Sequence, residues 1–105
     1  MNMVNEFRVY NWAKDKGLLD DCQPLRQLVK TQEELTELRD EVLLCERESY
    51  TGDFSAIKNE LGDVLVTLNI LAFQLDLDLD ECLGIALDKI EKRSGKLVNG
   101  TFVKD

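Results

Sequence analysis

Residues 60–75 read ELGDVLVTLNILAFQL, and this stretch decides how the chain folds. Between Leu61 and Leu75 the only charged residue is Asp63, and apolar residues fall on every side of the helix that the pattern predicts. A helix that is apolar all round is normally buried in a domain core or against a partner subunit. An unpaired carboxylate is costly there, so Asp63 needs a cation, a partner or a route to water. Glu60 lies one turn back on the same face, so the two acids form a pair.

Length and composition fit one globular domain. The chain has 105 residues, of which 44% are hydrophobic and 32% charged, and we expect a single domain over residues 1–105. The formal net charge of −8 argues against nucleic acid or an anionic membrane as a partner, although a bound divalent cation can reverse the local sign for a phosphorylated ligand. The apolar run is too short to span a membrane and no signal peptide is recognised, so we expect a cytoplasmic protein.

The cysteines do not suggest a metal site. Cys22, Cys45 and Cys82 have no CxxC spacing, and the chain contains no histidine. A structural zinc site is therefore not expected. We interpret all three cysteines as reduced, buried structural residues.

Helical periodicity and its end signals predict four helices and a tail. The predicted helices cover approximately residues 4–16, 24–47, 54–75 and 79–93. Gly17 ends the first, Pro24 suits the first turn of the second, and Asp78 is the expected N-cap of the fourth. Asn99-Gly100 between short apolar runs predicts a β-hairpin.

Two apolar faces are expected to point into the core. The faces consist of Leu25, Leu28, Leu35, Leu38, Val42 and Cys45 on the second helix, and Leu83, Ala86, Leu87 and Ile90 on the fourth. Trp12 on the first helix is most simply a core residue, but beside an acidic site a tryptophan can also stack on a base. The basic last turn of the fourth helix suits the negative end of the helix dipole.

Four acids occur as two pairs, Glu34 with Glu37 on the second helix and Glu60 with Asp63 on the third. The spacing of each pair puts both carboxylates on one helical face, and antiparallel packing would bring all four together. Ionised carboxylates in contact repel by about 4 kcal/mol at an effective dielectric near 20. Either the acids point to solvent, or they hold a hard metal ion. Oxygen ligands favour magnesium, manganese or calcium, and metal-assisted phosphoryl chemistry is the enzyme hypothesis.

The order and context of these acids match a known pattern. Glu33-Glu34-x-x-Glu37-Leu, followed by Glu60-Leu-Gly-Asp63-Val-Leu, resembles the E-E-x-x-E … E-x-x-D signature of the MazG-like all-α nucleoside triphosphate pyrophosphohydrolases. The resemblance covers most of the chain. It extends upstream through residues 27–30 to Trp12, and downstream through Lys89 and Arg93 to the tail at residues 95–104.

The resemblance implies an all-α fold, with a four-helix MazG-like bundle core and a short C-terminal β-hairpin, assembled as a homodimer or homotetramer. It also implies magnesium-dependent cleavage of nucleoside or deoxynucleoside triphosphates to the monophosphate and pyrophosphate, with Mn²⁺ as a substitute metal and nucleotide-pool sanitation as the role. By motif position the metal ligands are Glu34, Glu37, Glu60 and Asp63, and Glu33 is an accessory catalytic acid. The residues implied in substrate binding are Lys30, Lys89 and Arg93 for phosphates and Trp12 for the base.

Two alternatives stay open. One is a non-catalytic helical module for oligomerisation or partner binding, with a degenerate acidic face. The other is a hydrolase of the same fold specialised for dUTP or dCTP. The four motif acids together with Lys89 and Arg93 favour an enzyme, because a module free of catalysis has no evident need for Asp63 in an apolar helix.

Overall fold

The computed structural model describes residues 3–105 as four helices followed by a β-hairpin. The number, order and type of the predicted elements are confirmed. No helix in this part of the chain is long and apolar enough to cross a membrane. The elements are α1 (Met3–Asp15), α2 (Pro24–Arg47), α3 (Ser55–Gln74), α4 (Leu79–Ile90), β1 (Gly95–Val98) and β2 (Thr101–Lys104).

The helix ends follow their local signals. Gly17 has a φ of 80° just beyond α1, where a residue with a Cβ would be strained. The carboxylate of Asp78 accepts hydrogen bonds from the backbone N–H groups of Asp80 at 2.9 Å and Glu81 at 3.4 Å, so the predicted cap of α4 is confirmed. The predicted end of α4 is wrong: the helix stops at Ile90, and Arg93 lies in the turn beyond it.

The antiparallel pair formed by α2 and α3 is the centre of the fold, and α1 packs on α3. Two contacts show that the two helices are antiparallel. First, the side-chain amide of Gln27, near the start of α2, donates a hydrogen bond to the backbone carbonyl of Thr67 in the second half of α3. Second, Glu34, farther along α2, lies beside Glu60 near the start of α3. The ring of Tyr10 on α1 meets the ring of Phe73 edge to face, with centroids 5.3 Å apart.

The first half of the face that α2 turns towards α3 is polar, which differs from the prediction. The buried residues of α2 are Gln27, Thr31, Glu34 and Cys45. The expected apolar stripe is largely exposed, and Leu25 retains 76% of its accessible surface. Leu38 and Cys45 follow Glu34 by four and eleven residues, share its face and are half-buried and buried, whereas the other members of the stripe lie on sides of α2 that point away from α3.

The fourth helix and the hairpin lie outside this core. No residue of α4 is buried, so the expected inward face of Leu83, Leu87 and Ile90 is wrong for the single chain. Within residues 3–105, α4 does not pack closely on the other three helices, so this part of the chain does not form a closed four-helix bundle by itself. The hairpin pairs Gly95 with Lys104 in antiparallel register.

The hairpin turn lies at Asn99-Gly100, and none of the three cysteines forms a disulfide. Asn99 and Gly100 both have positive φ, at 50° and 79°, which is the conformation that a two-residue hairpin turn requires. All three cysteines are free thiols. Cys45 is buried as expected, whereas Cys22 and Cys82 are exposed, so the prediction of buried cysteines is wrong for these two.

Candidate functional site

Three of the predicted acids form one cluster between α2 and α3. Glu34, Glu37 and Glu60 each place a carboxylate oxygen so that the three atoms lie within 4.8 Å of one another. Glu34 is buried, Glu60 is half-buried and Glu37 is exposed. The cluster therefore has a closed side formed by the two helices and an open side towards solvent. We call these three residues the acid cluster.

Asp63 lies at the edge of the acid cluster. It is half-buried on α3, three residues after Glu60, and is not one of the three residues whose oxygens lie within 4.8 Å. Its charge nevertheless acts on the cluster, since it contributes to the raised pKa of Glu34. Thus the structure brings three predicted ligands together and places the fourth within electrostatic reach.

The surroundings of Glu34 disfavour its ionised form. Burial is the largest cause that raises the pKa of this carboxyl, followed by the hydrogen bond and charge of Glu37, while Lys30 acts in the opposite direction. One carboxylate oxygen of Glu34 and one of Glu60 are buried without a hydrogen-bond partner. A buried acceptor left unsatisfied costs about 1–3 kcal/mol, and more if it is charged.

A hard divalent cation fits this arrangement. It would satisfy both orphaned oxygens and neutralise the repulsion between the carboxylates. Carboxylate oxygens without histidine or thiolate neighbours are the donor set of Mg²⁺, Mn²⁺ or Ca²⁺. Glu34, Glu37 and Glu60 would hold such an ion directly, and Asp63 is placed to join them at the edge.

Lys30 and Glu33 form a charged pair at the border of the acid cluster. The Nζ atom of Lys30 lies 3.5 Å from Oε1 of Glu34 and 3.6 Å from Oε2 of Glu33. These two acids, Glu34 first, raise the pKa of Lys30, which stays protonated. Glu33 is exposed on the solvent side of α2. Both residues therefore lie at the site, with Lys30 bridging the cluster and its outer acid.

A groove between α1 and α3 includes Asp63, the acid at the edge of the acid cluster, in its lining. It encloses about 710 Å³, and Trp12 and Asp63 both line it, together with Arg8 and Asn69. Trp12 keeps 51% of its surface exposed, so the simple interpretation of this residue as core is wrong. An indole at the wall of an open groove, beside an acid of the site, is available for stacking on a flat ligand.

Lys89 and Arg93 are not brought to the acids within the chain. Lys89 is in the last turn of α4 and Arg93 follows the helix, and both are exposed. In residues 3–105, no ion pair joins either cation to an acid of the cluster. Their predicted contact with substrate phosphates stays a prediction.

Two residues at this interface were given no structural role from the sequence. Gln27 and Thr31 are buried between α2 and α3, retaining 8% and 3% of their surfaces. They precede Glu34 by seven and three residues, so the three polar residues share one face of α2. This polar row at helical spacing was the available signal, and the leucine-rich opposite face obscured it.

Comparison with known proteins identifies the family. The model of the MazG nucleotide pyrophosphohydrolase domain matches residues 23–98, which is well over half of the chain. No curated protein and no solved structure matches significantly. The matched span contains the acid cluster, Asp63, Lys89 and Arg93, whereas Trp12 precedes it. The chain belongs to the MazG nucleotide pyrophosphohydrolase domain family.

Proposed function

We propose that this member of the MazG family is a magnesium-dependent hydrolase that cleaves nucleoside or deoxynucleoside triphosphates to the monophosphate and pyrophosphate. The observation that carries the proposal is the acid cluster with its two buried oxygens that lack hydrogen-bond partners. Burying these oxygens without a partner costs free energy, which is not expected of an acidic cluster that only faces solvent. Family membership supplies the reaction class.

The residues divide into metal-binding and substrate-binding groups. The metal ligands are Glu34, Glu37, Glu60 and Asp63. When bound, the metal would neutralise the charge of these carboxylates and lower the pKa of a water molecule bound to it. Glu33 is the accessory acid on the solvent side, where a carboxylate can orient the attacking water. The exposure of Glu33 and its contact with Lys30 support this assignment.

The substrate lies across the open side of the acid cluster in this proposal. Its triphosphate would reach the metal and Lys30, whose Nζ lies 3.5 Å from Oε1 of Glu34. Its base enters the groove between α1 and α3 and stacks on Trp12. The groove adjoins Asp63, so phosphates and base would occupy neighbouring parts of one surface.

We further propose that the active form is a homodimer or homotetramer and that the chain functions as one domain. Two apolar surfaces support self-association, because the leucine stripe of α2 and the apolar face of α4 are both exposed. Monomeric proteins rarely leave such continuous apolar surface uncovered. If a second copy packed on α4, Lys89 and Arg93 could lie near the acid cluster of that copy. The exposed free thiols Cys22 and Cys82 are compatible with the reducing cytoplasm, where we place the reaction and its role in nucleotide-pool sanitation.

The test is Asp63→Asn, assayed for pyrophosphate release from a panel of common and modified nucleoside triphosphates with and without Mg²⁺. We expect magnesium-dependent turnover to be lost while the helical circular dichroism spectrum is kept. The matched control is Asp15→Asn, which makes the same change at an exposed position of α1 outside the site. Full activity in Asp63→Asn would refute the site assignment, and an inactive wild type would favour a non-catalytic module.

A further inference from the structure

The buried face of α2 carries a polar row whose role the proposed reaction does not explain. Gln27, Thr31 and Glu34 retain 8%, 3% and 9% of their surfaces, although helix pairs usually meet through apolar side chains. Only Glu34 belongs to the acid cluster. The other two residues lie one and two turns away from it, along the same contact line between α2 and α3.

One hydrogen bond in this row crosses between the helices. Nε2 of Gln27 donates to the backbone carbonyl of Thr67 at 3.1 Å, in a buried contact. It is the one side-chain hydrogen bond between α2 and α3 in residues 3–105. The two threonine hydroxyls are used within their own helices, since Thr31 donates to the carbonyl of Gln27 at 3.2 Å and Thr67 to that of Val64 at 2.7 Å.

The position of this bond relates it directly to the acid cluster. Gln27 precedes Glu34 by seven residues, and Thr67 follows Glu60 by seven. Seven residues are about two helical turns, or roughly 10.5 Å. Because the helices are antiparallel, the Gln27–Thr67 and Glu34–Glu60 contacts lie on one line and correspond to the same register. A slip that breaks the first contact also separates the second.

We propose that Gln27 is a positioning residue that fixes the register of α2 against α3 and so holds Glu34 opposite Glu60. A slip of one residue moves a helix by about 1.5 Å, which would leave the buried amide without its acceptor. Apolar side chains at the same position would tolerate such a shift more readily. Buried polar residues specify register in other helix pairs at some cost in stability. The consequence for metal binding rests on the proposed function, whereas the register itself does not.

The experiment compares Gln27→Met with Gln74→Met. Methionine keeps the length of the side chain and removes the amide in both variants. Gln74 is a matched control because its Nε2 donates to the backbone carbonyl of Leu18 at 3.0 Å, which is the same kind of bond outside the α2–α3 contact. Thermal unfolding reports the stability of each variant, and titration with Mn²⁺ followed by electron paramagnetic resonance reports its metal affinity.

A second measurement reports register without any metal. Spin labels at the exposed positions Glu46 on α2 and Lys58 on α3 give a distance with a large component along the helix axes. The three native cysteines are replaced by alanine, and unlabelled protein is added in excess so that only distances within one chain contribute. The distance distribution is then compared between the parent chain and the two glutamine variants.

We expect Gln27→Met to keep or slightly raise the thermal midpoint, since an apolar residue replaces a buried polar one. The same variant should weaken Mn²⁺ binding by about three- to tenfold and shift or broaden the distance by about 1.5 Å or more. Gln74→Met should leave affinity and distance unchanged. This combination of kept stability and lost affinity is not what a purely stabilising contact would produce.

Several results would overturn the inference. An unchanged distance or an unchanged Mn²⁺ affinity in Gln27→Met would do so, as would equal losses in Gln74→Met. If the parent chain binds no Mn²⁺, the distance alone decides: a shift in Gln27→Met supports the register role while the proposed metal function fails. No shift in that case rejects both.

Discussion

Replacing Glu34 by glutamine should change stability in opposite directions with and without a divalent metal. The substitution keeps the shape of the side chain and removes its charge from the acid cluster, whose oxygens lie within 4.8 Å of one another. Two ionised carboxylates at that distance repel by about 3.5 kcal/mol at an effective dielectric of 20. Lys30 offsets part of this repulsion, and solvent screens the exposed Glu37. We therefore expect Glu34→Gln to gain about 1 kcal/mol in EDTA, or ~4–8 °C in thermal midpoint.

Saturating Mg²⁺ should reverse the order. A ligand present at a hundred times its dissociation constant stabilises the folded state by about 2.7 kcal/mol. The wild type should receive this stabilisation, whereas the variant has a neutral amide in place of its most buried carboxylate and should receive little. Thermal unfolding followed by circular dichroism, in EDTA and in excess MgCl₂, measures both differences on the same two proteins.

The pH dependence in EDTA has a definite sign. The pKa of Glu34 is raised above its ordinary 4.5, chiefly by burial, so the folded state holds this proton more tightly than the unfolded state. The free energy of unfolding of the wild type then falls as pH rises from 4.5 through the raised value. The advantage of Glu34→Gln should appear over that window and vanish below it. A variant that is less stable than the wild type in EDTA at neutral pH, or a wild type that Mg²⁺ does not stabilise, would refute the reasoning.

Three further predictions concern substrate binding and the fold. Lys89→Ala and Arg93→Ala should each raise KM for a nucleoside triphosphate, and Lys92→Ala is the control that should not. An unchanged KM would mean that these cations interact only with the negative end of the α4 dipole. Trp12→Ala should weaken nucleotide binding by about 1–3 kcal/mol and leave Mg²⁺ affinity unchanged, and Trp12→Phe should restore part of the loss, as expected for stacking. Asp78→Ala should lower the free energy of unfolding by about 1 kcal/mol through loss of the cap, whereas Asp78→Asn should not. A stable Asp78→Ala variant in denaturant titration would contradict that last account.

The ends of the helices were predictable because single residues mark them. Gly17 accepts a positive φ after α1, Pro24 starts α2, and Asp78 caps α4. Asn99-Gly100 determines the hairpin turn for the same kind of local reason. Such signals act within a few residues, so sequence contains them without knowledge of the tertiary fold. The pairing of acids at helical spacing was also readable, and the structure confirms that Glu34, Glu37 and Glu60 meet.

The faces of the helices were not predictable in the same way. Periodicity shows that α2 has an apolar side, but it does not say whether the same chain covers that side. Glu34 and Gln27 are buried against α3, whereas most leucines of the stripe are exposed. The same limit applies to α4 and to Trp12, whose apolar surfaces are exposed in the single chain. The sequence shows which helix faces are apolar, whereas the surface that covers each face is determined by tertiary and quaternary contacts.

The exposed face of α4 has a consequence for how stability depends on the amount of protein. If a second copy covers this face, part of the folding free energy comes from association and obeys mass action. The midpoint of unfolding would then rise with protein concentration, and dilution would loosen α4 before it unfolds the α2–α3 pair. A newly made chain in a cell would stay open to proteolysis at α4 until its partner arrives. Expression level would in this way control both the lifetime of the protein and the completeness of its site.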